Sequence, residues 1–377
     1  MTSRTDREPQ RDAGARQHKG DGPTSLARLV NWYLLKFRHP QLVSFAEAFK
    51  NVRKVLVIPE RGVVGALFAM PTIRAMRRGF PDGKIAVLVE EEDRELLDGL
   101  PELDKVIGYS LPGGIKRLSA ISRLARRLKS YRFDIAILLD REFSLERAFL
   151  CYATGASVRA GLQSDESHPF LNLEVSRNVS GRTRAQLGLE IARVMGVDTS
   201  ELGLSWRIPE RERRLAEQLV HFRKPREDEL LVGFDPGPGR GGTSISLSQQ
   251  ARLIDRLCSD YKAKALLLTA PENNETAARL EGMLTRDPIV VQQRKMRDVV
   301  SLLGQCDLFV AGNTDLVYFA VAMGIPTVAL MTPRESEEAA FPECESLELV
   351  QLRQGERFPI EEFIERTQSV LLAGAAS

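Results

Sequence analysis

The chain has 377 residues, a net charge of +2, 43% hydrophobic residues and 28% charged ones. This length allows about two domains with cores that need no disulfide or metal staple, and so even a charge excludes a dedicated nucleic-acid binder. Cys151, Cys258, Cys306 and Cys344 form no CxxC pair, His18, His39, His168 and His221 do not cluster, and no apolar run reaches the roughly 18 residues of a membrane span. A disulfide framework, a His-rich metal centre, a secretory signal and a membrane helix are therefore not expected, and a reducing, cytoplasmic setting is.

Residues 1–23 lack apolar periodicity and read as a disordered tail. Residues 24–52 read as a basic helical segment. Leu26, Leu29, Val30, Tyr33 and Phe37 share one helical face with Ser25 as N-cap, and through Arg53 there are ten Lys and Arg against five Asp and Glu. Such a helix, carrying Trp32, either lies on an anionic membrane surface or docks on its own domain.

From Lys54 a strand–helix rhythm starts. Strands are expected at 54–59, 84–89, 105–109 and 133–139. Helices are expected at 66–79 (with Pro71 oddly inside) and 94–100, and one with Ile115, Leu118, Ile121, Ala125 and Leu128 on its apolar face. The rhythm weakens between 151 and 209, where 183–195 is the clearest helix. It resumes with strands at 229–235, 263–269, 289–291, 307–312 and 327–331, and helices at 248–260, 274–284, 296–304 and 314–323. Strands alternating with helices imply parallel sheets covered on both faces. Two doubly wound units, 53–208 and 209–377, joined near 205–225, are expected to face each other across a cleft. Ligands in such sheets bind beyond the carboxyl ends of the strands.

Charge is unevenly spread. Lys116, Arg117, Arg123, Arg126, Arg127, Lys129 and Arg132 fall in one stretch without an acid, whereas residues 334–366 hold ten acids and four bases. The basic stretch is either a solvated helix face or a surface for an anionic partner, a phosphorylated acceptor or a lipid surface.

Three segments carry chemistry. FDPGPGRGGTS (234–244) follows a strand, and Gly237, Gly239 and Gly242 satisfy GxGxxG. The next helix begins too late, and the acid Glu272 lies too far on, for a nicotinamide fold. The residues better suit a loop whose amides, with Gly241, Arg240 and Thr243, hold a phosphate; the alternative is an ordinary turn. In AGNTDLVYFAVAMGIPTVALM (311–331), Asn313 or Thr314 can cap a helix whose first amides favour a diphosphate, with Asp315 in its first turn. Asp315 either holds a sugar hydroxyl or complements the helix dipole. The third segment, VIPERGVVGALFAMPTIRAMRRGFPDGKIAVLVE (57–90), runs from a strand through a loop with Gly62 and Gly65 into a helix.

In this order the segments resemble glycosyltransferase family 9, the lipopolysaccharide heptosyltransferases. Pro71, Ile73, Arg74 and Met76 match the family's Pro-x-Leu-Arg-x-Leu helix, and VGFDPGPG matches its Asn-Pro-Gly-x-Gly opening of the second domain. RDVVSLLGQCDLFVAGNTD with AVAMGIPTVALMTP matches its donor-binding segment. The resemblance covers about residues 53–360. It implies a GT-B fold, with an acceptor domain first and a nucleotide-sugar domain second. The donor it implies is a nucleotide sugar such as ADP-heptose, and the acceptor an anionic core or lipid-linked saccharide, reached through a peripheral contact with the inner membrane face.

Three positions depart from the family pattern. Its loop Asp, the proposed base, aligns with Gly65, and the Gly before it with Val64. Its Lys-Arg-Trp aligns with Thr243, Ser244 and Ile245, and its donor-site His aligns with Tyr318. Inverting sugar transfer needs a base for the acceptor hydroxyl, charge stabilisation for the leaving diphosphate and a dry cleft. The second can come from Gly237, Gly239, Gly241, Gly242, Arg240 and the start of the 314–323 helix, with no metal and no separate cofactor. For the base, Glu60, Asp140 and Glu142 follow first-domain strands. Three readings stand: an active transferase, a non-catalytic relative that keeps the GT-B scaffold for binding, and an epimerase or other enzyme of that fold.

Overall fold

The computed structural model describes residues 49–167, 170–176, 183–223, 229–237, 246–269, 273–291, 295–339, 341, 344–352 and 358–376. The tail at 1–23, most of the basic segment 24–52, and the loop residues Gly239, Arg240, Gly241, Gly242 and Thr243 lie outside these. Two parallel sheets of six strands each organise the chain.

In the first unit the elements are β1 Lys54–Ile58, α1 Gly62–Gly79, β2 Lys84–Glu90, α2 Arg94–Leu97, β3 Lys105–Tyr109, α3 Lys116–Tyr131, β4 Ile135–Leu138, α4 Leu145–Ala153, β5 Val158–Leu162, β6 Leu173–Val175 and α5 Arg184–Val194. In the second they are α6 Glu210–His221, β7 Leu230–Asp235, α7 Leu247–Asp260, β8 Ala263–Leu267, α8 Asn274–Glu281, β9 Ile289–Val290, α9 Met296–Leu303, β10 Leu308–Ala311, α10 Asp315–Met323, β11 Thr327–Met331, α11 Pro333–Ala339, β12 Leu347–Gln351 and α12 Ile360–Ala376. The first sheet runs β3-β2-β1-β4-β5-β6 and the second β12-β11-β10-β7-β8-β9. Each is the doubly wound order, with its reversal between β1 and β4 or between β7 and β10.

Successive strand residues point to opposite faces, and both faces are covered. In β1, Val55 and Val57 pack toward α1, α2 and α5, while Leu56 and Ile58 pack toward α3 and α4. The second sheet repeats this, with Val232 and Phe234 facing α7 and α12 and Leu231 facing the side of α9 and α10. One apolar core runs through α1 and α5 of the first unit into α9 and α10 of the second. The two units are therefore joined by shared buried surface as well as by chain. The connecting segment adds to this: Trp206 donates its backbone N–H to the Ala322 carbonyl at 2.8 Å and meets Phe319 edge-on, 5.2 Å between centroids.

Several expectations need correction. Helix α1 starts at Gly62, not residue 66, and passes through Pro71. Ile115 and Leu118 do not belong to the buried face of α3; they are 96% and 75% exposed, and the buried residues are Ala120, Leu124 and Leu128. Ile115 precedes the helix, and Leu118 lies about 120° around it from Leu124, so both face water. Strands β5 and β6 and helix α4 fill the stretch where the pattern weakens. Their apolar runs are short, and Arg159 and Glu174 interrupt them. Helix α7 starts at Leu247, because Ser246 and Gln249 form a capping box. Among the described residues no helix is long and apolar enough to cross a membrane.

Candidate active site

The carboxyl ends of β1 and β4 are held together by their register, Ile58 opposite Leu138, which brings the loops after them side by side. Glu60 therefore lies beside Arg141. Its Oε1 accepts the Arg141 backbone N–H at 3.0 Å and the Arg141 Nε–H at 3.2 Å, and its Oε2 lies 3.5 Å from an Arg184 guanidinium nitrogen. A pocket lined by Glu60, Gly65, Phe68, Arg141 and Arg184 opens here. Arg184 is the first residue of α5, fixed by a capping box between Thr183 and Gln186.

Asp140 is turned away into the fold. Both its oxygens accept from Arg147 Nε, at 2.9 and 2.7 Å, and this pair is almost wholly buried. Arg147 also donates to the Pro59 carbonyl and to the Tyr109 hydroxyl. Burial works against the Arg147 charge, but the Asp140 carboxylate outweighs it and raises the guanidinium pKa. Asp140 and Arg147 thus tie α4 to the loop after β1. Glu142 is exposed and makes no ion pair among the described residues.

Gly65 sits where a side chain has no room. A Cβ there would fall within the van der Waals envelope of the Glu60 carbonyl. The fold therefore closes the position at which the resemblance expects an aspartate.

In the second unit β10 pairs with β7 so that Ala311 stands opposite Asp235. This puts Gly312 and Gly237 at one crevice, lined also by Gln250 and Phe363. Gly237 donates its N–H to Asp235 Oδ1 at 2.9 Å, and a Cβ on it would press on Asn273. Asn313 and Thr314 follow at the start of α10. Both are more than nine-tenths buried, and Asn313 Oδ1 and Thr314 Oγ1 have no hydrogen-bond partner among the described residues. Thr314 is the N-cap of α10 yet its side chain makes no capping bond. A buried polar atom left unpaired costs about 1–3 kcal/mol, which a ligand can recover. A helix start that carries two polar side chains unpaired among the described residues suits an anionic, hydroxyl-bearing ligand.

Tyr318 connects the two halves. It is 2% exposed, meets Phe68 of α1 edge-on at 5.8 Å and packs against Phe341 at 4.8 Å. The Arg184 guanidinium lies over the Phe68 ring, 5.4 Å from its centroid. A continuous line of contacts thus runs from α10 through Phe68 and Arg184 to Glu60. A second bridge joins α9 to α2. Lys295 pairs with Glu95 at 2.7 Å and Arg297 donates to the Glu95 carbonyl at 2.9 Å and to the Asp98 carbonyl, while within the second unit the Arg297 guanidinium meets Glu212 of α6 at 3.0 Å.

Asp93, absent from the sequence-based candidates, stands in this interface. It is 8% exposed at the turn between β2 and α2. Burial first, then Glu90, Glu92 and Asp315, push its carboxyl up to about 6, against the Gly62 amide, which lowers it. Arg141 and Arg184 were also missed. Arg141 follows a strand end, the same signal that selected Asp140. Asp93 also follows a strand end, as the last acid of the run EEED, whereas nothing local marks Arg184.

The family model for glycosyltransferase family 9 (heptosyltransferase) matches residues 121–355. A lipooligosaccharide heptosyltransferase 2 of Haemophilus ducreyi is 23% identical over 329 residues, 80% of this chain and 92% of that protein. A lipopolysaccharide heptosyltransferase 2 of Escherichia coli is 20% identical over 293 residues, 74% of this chain and 83% of its own length. Among solved structures, a family 9 glycosyltransferase of Veillonella parvula superposes with a TM-score of 0.73 at 18% identity, covering 85% of this chain and 97% of that one. The Escherichia coli ADP-heptose lipopolysaccharide heptosyltransferase II gives 0.68 at 18% identity, covering 85% and 99%. These neighbours share the GT-B architecture of two doubly wound units.

Proposed function

The chain belongs to glycosyltransferase family 9, the heptosyltransferases, and we propose that it moves a heptose from ADP-heptose to an anionic lipopolysaccharide-core saccharide by a metal-independent, inverting displacement. The observation that carries this is the start of α10, where Asn313 Oδ1 and Thr314 Oγ1 are buried without partners among the described residues, at the reversal of the second sheet. The α10 amides and the Thr314 hydroxyl would meet the diphosphate, and Asn313 Oδ1 would accept from a sugar or ribose hydroxyl. As the sequence pattern implies, Gly237, Gly239, Gly241, Gly242 and Thr243 would offer amides to the phosphates and Arg240 a cation. Asp315 and Tyr318 would border the transferred sugar.

On the acceptor side, Arg141 and Arg184 rim the Glu60 pocket and offer cations to an acidic saccharide. The acceptor is anchored in lipid, and α3 suits that surface. Its Lys116, Arg123, Arg126, Arg127, Lys129 and Arg132 are exposed, beside the exposed Ile115 and Leu118. One observation favours the non-catalytic reading: Gly65 stands in place of the family base.

The test is calorimetric titration with ADP-heptose, followed by ADP release on adding vesicles that carry heptose-deficient lipopolysaccharide. Binding and release are expected, both lost when Asn313 and Thr314 are replaced by Val. Binding without release would favour the scaffold reading, and no binding would reject both.

A further inference from the structure

We propose that Glu60 is the catalytic base that takes the acceptor proton, its side chain filling the space that a side chain on residue 65 would need. This rests on the transfer reaction proposed above. Glu60 follows β1 at the carboxyl edge of the first sheet and lines the pocket there with Gly65, Phe68, Arg141 and Arg184. Among the described residues lining that pocket it is the one acid. A Cβ on Gly65 would lie 2.9 Å from the Glu60 Cβ, so the two side chains would set out from nearly one point. Residue 60 thus supplies the carboxylate that the glycine denies to residue 65, and the additional methylene of glutamate over aspartate lengthens its reach.

The carboxylate is fixed by one oxygen and open at the other. Oε1 accepts from the Arg141 backbone N–H at 3.0 Å and from its Nε–H at 3.2 Å. Oε2 accepts no hydrogen bond among the described residues and has the Arg184 guanidinium at 3.5 Å as its charge partner. The side chain is 21% exposed, so the pocket gives a hydroxyl access to it. Among the described residues Arg141 spends only its Nε–H of its side-chain donors on Glu60, which leaves its terminal nitrogens for an acidic saccharide. One arginine would then fix both the base and the substrate that loses the proton.

The donor side is close. Phe68 lies one turn beyond Gly65 on α1, lines the same pocket and meets Tyr318 of α10 at 5.8 Å. Tyr318 stands one turn into the helix whose start carries Asn313 and Thr314. A single ring contact therefore separates the Glu60 pocket from the donor helix.

The other acids that follow first-sheet strands do not line the pocket. Asp140 is bound through both oxygens to Arg147, Glu146 is shared by Arg61 and Arg117, and Asp93 lies in the turn after β2. Glu142 is exposed and next to Arg141 in sequence, which makes it the rival that a variant must separate from Glu60.

In the step, the Glu60 carboxylate accepts the proton of the acceptor hydroxyl. The oxygen electron pair forms the bond to the anomeric carbon of the heptose. The bond from that carbon to the diphosphate oxygen breaks, and its electron pair leaves with ADP. Neutral Glu60 then gives its proton to water.

The experiment measures ADP release from ADP-heptose with heptose-deficient lipopolysaccharide vesicles, and ADP-heptose affinity by calorimetry, for wild type, Glu60→Gln, Glu60→Asp and Glu142→Gln. Glu60→Gln is expected to lower kcat by on the order of 10²–10⁴-fold, with donor affinity kept and the acid limb of the kcat/KM profile lost. Glu60→Asp keeps a charge beside Arg141 and Arg184 but draws it back by one methylene. It is expected to keep the fold and the acid limb and to lose less of kcat; should Glu60→Gln fail to fold, a wild-type kcat in Glu60→Asp would overturn the assignment. Wild-type turnover in a folded Glu60→Gln would overturn it and leave the transfer reaction standing. So would loss of donor binding in that variant, or loss of the acid limb in Glu142→Gln instead. A wild-type chain that binds donor but releases no ADP would overturn both the base and the reaction.

Discussion

Phe68 of α1 and Tyr318 of α10 meet edge to face, 5.8 Å between ring centroids at 74°, and so join the cores of the two units. Removing the Phe68 ring opens a void in a core that both units share. Phe68→Ala is expected to cost about 3–5 kcal/mol and to lower the stability of both units together. Urea unfolding followed by far-ultraviolet dichroism and by tryptophan fluorescence checks this; the two transitions should coincide. Separate midpoints would mean that the units unfold independently.

Restoring the family residue at Gly65 should fail. A Cβ there collides with the Glu60 carbonyl, so Gly65→Asp must displace the loop after β1 or the start of α1. The expected outcome is a destabilisation of about 1–3 kcal/mol with no gain in ADP release. A faster enzyme of unchanged melting temperature would contradict the packing described.

Asp140 and Arg147 should behave as a structural pair. Asp140→Asn leaves a buried guanidinium without its counter-charge, and a loss of about 3–5 kcal/mol is expected. The double variant Asp140→Asn with Arg147→Met should recover part of it. Thermal melting of the three chains at one pH decides the point; equal losses in single and double variants would reject the pairing.

The charge on Asp93 should cost stability. Its carboxyl is raised from 3.8 to about 6 in the folded chain, chiefly by burial. Below 3.8 it is neutral in both folded and unfolded chains, and above 6 it is ionised in both. The folded chain binds the extra proton between these values, so stability falls as pH rises through that window. Asp93→Asn removes the penalty and is expected to be more stable than wild type by up to about 3 kcal/mol near neutral pH, and no more stable below about pH 4. Urea midpoints at the two pH values measure it. A variant less stable than wild type at neutral pH would reverse the sign.

The bridge between α9 and α2 holds the Asp93 turn against the second unit. Arg297→Ala removes the bonds to the Glu95 and Asp98 carbonyls across the bridge. The expected result is a rise in KM for ADP-heptose and a larger radius of gyration in solution scattering, with each sheet intact by dichroism. An unchanged radius and KM would show that the bridge does not hold the units together.

Apolar runs such as KVLVI, KIAVLV and TVALM determined by themselves the alternation of strands and helices, and hence the two doubly wound sheets. Each run is long enough to need cover on both faces, and each is separated by a helix-forming stretch. The same local signals placed Glu60 and Asp140 at strand ends and Asn313 to Asp315 at a helix start. The environment of these groups was decided only by tertiary structure, because it is made by residues distant in the chain. Arg147 claims Asp140, Arg184 reaches Glu60 from α5, and the Glu60 backbone closes the space at Gly65. Asp93 is one acid in the run EEED until α1 and α10 fold against it. Local periodicity records which face of an element is apolar, but a carboxylate's charge and reach depend on what packs around it.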